Sequence, residues 1–168
     1  MNATYLLAFY GAFLSTIVFL WNVSRAIPRY KVDIIHGIDD EEEQLRSGVY
    51  IFVRNPSPQT VHLANVNILY PYRNTRFADK IWHIVKYRRT PKTVGWAHSS
   101  LSNYGVDDKC PLAIEPGKSH KVFVPEEELE EIFKGSTRRE IRACAQDQLW
   151  RNKYSAVLEY TKTPLAKE

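Results

Sequence analysis

Charge is missing from the first 24 residues of this 168-residue chain. No Lys or Arg precedes the apolar run that begins at Tyr5, and the run ends in Trp21-Asn22-Val23 rather than in small residues. Both absences argue against a cleaved signal peptide, which needs a positive start and a small-x-small cleavage site. A buried core helix accounts poorly for so long an uncharged run. Cysteine is scarce, with only Cys110 and Cys144 present, and their spacing demands no disulfide. No Cys-x-x-Cys occurs, and no two of His36, His62, His83, His98 and His120 stand four apart, so the spacing supports no zinc site. A Gly-x-Ser-x-Gly elbow, a phosphate-binding glycine loop and a dinucleotide fingerprint are also missing. Cys110 with His98 or His120 offers a nucleophile pair only at the level of chance. No cofactor is implied, and the reading is non-enzymatic.

What is there begins with that run. About 20 apolar residues rising 1.5 Å each cross a hydrocarbon core of about 30 Å. Residues 1–24 therefore read as a transmembrane anchor, 25–30 as a juxtamembrane linker, 31–160 as one domain, and 161–168 as a loose tail. Arg25, Arg29 and Lys31 follow the anchor closely while nothing basic precedes it. The positive-inside rule then puts the C-terminal domain in the cytoplasm, the periplasm being the alternative. In the cytoplasm both thiols stay reduced. Tyr5 and Trp21 mark the two interfaces, and Pro28 stops the helix. Ala8, Gly11, Ala12 and Ser15 make a small-residue face suited to self-association or a partner helix.

The domain reads as mainly β. Residues 30–36 start a first strand, and 37–48 is a polar, acidic loop. Val49, Ile51 and Val53 alternate with Tyr50, Phe52 and Arg54 as a strand. Asn55-Pro56-Ser57-Pro58 is a turn, and 61–70 is the next strand, with an apolar parity change at Ala64-Asn65 that suggests a bulge. Residues 49–70 then form a β-hairpin. The β-branched and aromatic content of 81–87 suggests a strand. Residues 96–110 are mainly loop, while 112–114 and 119–124 are strands. Pro125 opens one helix with Leu129, Ile132 and Phe133 on its apolar face and Gly135 as its stop. Two strands, 139–146 and 153–160, close the chain. About seven short strands and one short helix point to an antiparallel, immunoglobulin-like β-sandwich, without the Cys…Trp…Cys framework of an antibody domain.

The order of Trp21-Asn22, Lys31-Val32, Ile51-Phe-Val-Arg-Asn55, Val61-His-Leu63, Ile114-Glu-Pro-Gly117, the Pro125 helix and Ile141-Arg-Ala-Cys-Ala-Gln-Asp147 resembles a diffuse group of small bacterial single-pass membrane proteins. In that group one strand ends in Asn-x-Gly and a late one in Asp-Ser-x-Gly. Here Pro56–Pro58 and Gln148–Trp150 replace the glycines. The resemblance implies the fold and a bacterial inner-membrane location, and brings no catalytic residues.

The formal net charge is +4 and the pI about 9.0, unevenly placed. Residues 39–43 and 126–131 are acidic. Residues 73–92 hold Arg73, Arg76, Lys80, Lys86, Arg88, Arg89 and Lys92 against one acid, Asp79, interleaved with and flanked by Tyr70, Tyr72, Phe77, Trp82, Tyr87 and Trp96. The bland reading is a solvated face over core aromatics. The sharper ones are contact with the anionic inner leaflet, with nucleic acid, or with an acidic protein. No nucleic-acid motif accompanies the segment. The expected function is a membrane-anchored protein-interaction or adaptor module; the alternative is binding of an anionic ligand through 73–92. The bilayer, a protein partner and a second copy are the expected contacts.

Overall fold

The computed structural model describes residues 3–41, 44–88 and 91–161. The chain opens with α1 (Ala3–Ala26), a helix whose described side chains are exposed throughout. Its Tyr5–Ala26 stretch has a mean hydropathy of 1.8 and is long and apolar enough to cross a membrane. Pro28 follows, where a helix would lose a donor and clash.

Two antiparallel sheets then share one core. The first has the order β1-β2-β6, from β1 (Lys31–Glu41), β2 (Gln44–Arg54) and β6 (Ser119–Pro125). The second runs β4-β3-β7-β8, from β4 (Trp96–Ser100), β3 (Val61–Pro71), β7 (Glu140–Asp147) and β8 (Asn152–Tyr154). The short strands β5 (Leu112–Ile114) and β9 (Leu158–Glu159) add to β3 and β7. Val49, Ile51 and Val53 of β2 meet Val66 and Ile68 of β3 and Ile141, Ala143 and Ala145 of β7 in a single buried cluster. A helix, α3 (Glu126–Lys134), closes one edge of it with Leu129, Ile132 and Phe133. Pro125 is the N-cap of α3 rather than its first turn.

Several sequence expectations change. Residues 49–70 are not a hairpin, because β2 pairs with β1 and β6 while β3 pairs with β4, β5 and β7. The Pro56–Pro58 turn carries the chain from one sheet to the other. Residues 37–48 are not a loop: the β1–β2 ladder continues to Glu41 opposite Gln44, although Glu42 and Glu43 lie outside the described residues. Gly48 permits this continuation, since a Cβ there would lie 2.3 Å from the Val124 carbonyl oxygen. Residues 81–87 are helical, not extended, in α2 (Phe77–Tyr87), so the domain has two helices rather than one. The segment 96–110 contains β4 and a short 3-10 turn, Leu101–Tyr104. The last strand splits into β8 and β9 because the Ser155 hydroxyl takes the Ala143 N–H at 2.9 Å. The parity change at Ala64-Asn65 is a real register shift against β7. The tail at 162–168 lies outside the described residues.

Lys31, Arg54, Val61, Ile114, Ser119 and Asp147 share the end of the domain where α1 joins it. Asn55 ties this end together from within: its side-chain N–H donates to the carbonyls of Gln59 and Ile114 at 2.7 and 2.8 Å. Its oxygen accepts the Ser57 N–H and hydroxyl at 3.0 and 2.6 Å. β3 runs from that end to Pro71, ten residue steps or about 33 Å away.

Candidate functional site

The basic segment 73–92 singled out in the sequence folds around a helix, α2. Pro71 ends β3, and the N–H groups of Tyr72 and Arg73 donate to the Gly95 carbonyl at 3.1 and 3.3 Å. A loop clamp thus holds both ends of the α2 excursion. Gly95 has φ +81°, and a Cβ there would press on Thr75 and the Arg73 carbonyl. The Arg142 guanidinium donates to the Ser155 carbonyl at 2.9 Å and to the Lys92 carbonyl at 3.3 Å, fixing the return segment to β7.

Helix α2 itself is stopped locally. The Asp79 carboxylate accepts the Arg76 N–H at 3.0 Å, closing the first turn. Arg88 adopts a left-handed conformation with φ +50°, and its N–H donates to the Ile84 carbonyl at 2.8 Å. Asp79, Trp82, His83 and Tyr87 line a cleft of about 230 Å³ over Tyr72, Thr75 and Gly95. The Asp79–His83 side of the helix, with Trp82 and Tyr87 at its edges, therefore faces the domain. None of its 11 residues is buried. Phe77, Ile81, Ile84 and Val85, spaced i, i+4, i+7 and i+8, fall on one face at helical periodicity. Phe77 is 78% exposed and Val85 68%. Trp82 widens the patch on its flank, 64% exposed.

Cations lie along α2 and beyond both its ends. Arg73, Arg76, Lys80, Lys86, Arg88 and Lys92 are all exposed. Among the described residues none of the six has a carboxylate ion-pair partner; Lys86 instead lies over the Tyr87 ring at 5.3 Å. Arg89 lies outside the described residues. The aromatics Tyr72, Phe77, Trp82 and Tyr87 are exposed too, against the bland reading that made them core, whereas Tyr70 and Trp96 are half-buried and Tyr70 packs on the core as that reading had it. The strand expectation hid this amphipathic face, yet its signal, apolar residues at 77, 81, 84 and 85, is present in the sequence.

The other residues singled out lie elsewhere. Ala8, Gly11, Ala12 and Ser15 share one exposed side of α1. The histidines are dispersed: His36 stacks on Tyr160 at 5.2 Å, His83 meets Tyr87, and His120 bonds the Asp108 carbonyl at 2.9 Å. Among the described residues no three His, Cys, Asp or Glu side chains form a group that could hold a metal ion. Both cysteines are free thiols. Burial, with Asp108 adding to it, pushes the Cys110 thiol up to about 12; burial does the same to Cys144. A thiol so raised is a poor nucleophile.

No family model, curated protein or solved structure matches the chain. The functional reading thus stands on the geometry of α2 and on the apolar helix α1.

Proposed function

We propose that this is a membrane-anchored interaction module, built on an immunoglobulin-like pair of sheets, that docks a protein partner through α2. α1 is its single-pass anchor, and Arg25, Arg29 and Lys31 favour a cytoplasmic domain. The observation that carries the reading is the uncovered apolar face of α2. Isolated helices below about 12 residues are marginal in water and gain their stability from packing that face. Here the Asp79–His83 side is turned to the domain and the apolar face outward, so the packing partner has to come from outside. The recognition mode is a helix laid in an apolar groove, with anchors at i, i+4 and i+7.

Charge selects the kind of groove. Six cations on and beside α2, none with a carboxylate partner among the described residues, would repel a second copy of α2 laid against it and favour an acidic partner. The position of α2 favours a protein over the anchor's own bilayer, because β3 carries it about 33 Å from the anchor's exit. An anchor also confines the module and its partner to one surface and raises their effective concentration.

A photoreactive amino acid placed in turn at Phe77, Ile81 and Ile84 in the full-length, membrane-embedded protein tests this. A discrete protein adduct is expected, and I81D/V85D should abolish it while leaving membrane insertion and folding intact. Adducts confined to lipid, or none from Phe77, Ile81 or Ile84, would refute the docking role.

A further inference from the structure

A second exposed apolar feature stands at the opposite end of the molecule, beside the anchor. We infer that the loop Gln148–Arg151 is a membrane-seating element that places Leu149 and Trp150 in the bilayer interface next to α1. The inference rests on reading α1 as a membrane anchor.

The loop is rigid where it should be and bare where it should not be. Asp147 is buried and organises it: one carboxylate oxygen accepts the N–H groups of Leu149 and Arg151 at 3.0 and 2.9 Å. The other accepts the Arg151 guanidinium at 2.7 Å. The Trp150 N–H donates to the Asp147 carbonyl at 2.9 Å, and the Gln148 N–H to the His62 carbonyl at 3.0 Å. This set of bonds orders the backbone while the two largest side chains remain outside. Leu149 is 70% exposed and Trp150 81%. Trp150 also holds φ +61°, a conformation that costs a bulky residue about 1–2 kcal/mol. An ordered loop that aims a strained tryptophan and a leucine into water gains nothing from water.

The neighbourhood names the occupant. Tyr30, four residues after the last residue of α1, donates its hydroxyl to the Arg151 carbonyl at 2.5 Å, with the Ala145 carbonyl at 3.2 Å. The loop is thus tied to the first residue that enters the domain. Pro28 and Leu149 line one cleft, and Lys153 lines another with Trp21 and Arg25 of α1. Trp21 marks the interface end of the anchor, where indole rings prefer to sit. Arg25, Lys31 and Lys153 have no carboxylate ion-pair partner among the described residues, which suits the headgroups of anionic lipid, each cation contributing on the order of 1 kcal/mol near the surface. Apolar side chains flanked by cations, continuous with a spanning helix, fit the headgroup boundary of the same bilayer. Seated there, the loop would fix the tilt of the domain and hold α2 away from the membrane.

The test uses the full-length protein carrying W150C or, separately, L149C, labelled with an environment-sensitive maleimide. The variants are reconstituted in phosphatidylcholine–phosphatidylglycerol vesicles with nitroxide lipids. Cys110 and Cys144, both raised to about 12 by burial, leave an unlabelled background that the parent protein checks. G11C in α1 reports the anchor, and V85C reports α2. The expected result is a blue-shifted probe at 149 and 150 quenched by headgroup-level nitroxide, a probe at 11 quenched by acyl-chain nitroxide, and a probe at 85 in water. Probes at 149 and 150 in water with position 11 in the acyl region would overturn the seating role and spare the anchor. A probe at 11 in water would overturn the anchor reading and the inference with it.

Discussion

At the residue scale, two buried polar side chains, Asn55 and Asp147, each close a strand at the α1 end of the domain, and each bonds its own turn from inside. Removing the Asn55 side chain leaves the Ile114 carbonyl and the Ser57 N–H buried without partners, each at about 1–3 kcal/mol. N55A should therefore lower stability by about 3 kcal/mol, read as a drop in the urea midpoint with an unchanged slope. The two thiols give a pH prediction. Burial raises Cys144 from its ordinary 9.0 to about 12, so the folded protein keeps a proton that the unfolded chain releases. The stability this contributes is intact below about pH 9 and is lost as pH rises toward 12. Urea midpoints should fall above pH 9, and C144A should flatten that fall. Native protein should resist maleimide at neutral pH and react at both cysteines once denatured.

At the scale of elements, α2 and α3 form a contrast. Both are short, amphipathic and locally capped. α3 turns Leu129, Ile132 and Phe133 inward, and its Glu126, Glu127 and Glu128 sit at the favourable N-terminal end of the dipole. L129A should cost about 3 kcal/mol, since it opens a cavity in the shared core. α2 turns the corresponding face outward. I81D/V85D should change global stability by about 0.5 kcal/mol or less, because neither side chain is buried in the domain. The pair of outcomes separates a helix that holds the fold from one that serves a partner, and thermal melts of the two variants side by side would show it. Equal losses would mean that α2 packs on the domain in solution.

At the scale of the whole molecule, one apolar cluster draws on both sheets and on α3, from Val32 in β1 to Tyr160 after β9. Loss of either sheet exposes the other. Residues 31–161 should therefore unfold in a single transition, with far-ultraviolet and near-ultraviolet signals coincident. The Leu149–Trp150 loop lies beside α1, and α2 lies about 33 Å away along β3, at opposite ends of this unit.

Local pattern carried much of this. An uncharged run of 24 residues determines a long apolar helix by composition alone, and alternation at Val49, Ile51 and Val53 determines a strand. Pro125, the glutamates and Gly135 mark α3 by capping chemistry, and the parity change at Ala64-Asn65 marks a register shift. Other features depended on partners distant in the chain. Residues 49–70 become two strands of different sheets because β2 finds β6, some 70 residues later, and β3 finds β7. The acidic stretch after Gly37 becomes a ladder because its hairpin continues across Gly48. For 81–87 the β-branched and aromatic content outweighed the i, i+4 spacing, and only the caps and the clamp at Gly95 decided between them. Sequence periodicity states that α2 has an apolar face; tertiary packing alone decides which way that face turns. The Tyr72–Gly95 clamp turns the Asp79–His83 side of α2 toward the domain and leaves Phe77 and Val85 to solvent, a choice made by contacts that no local window of the chain contains.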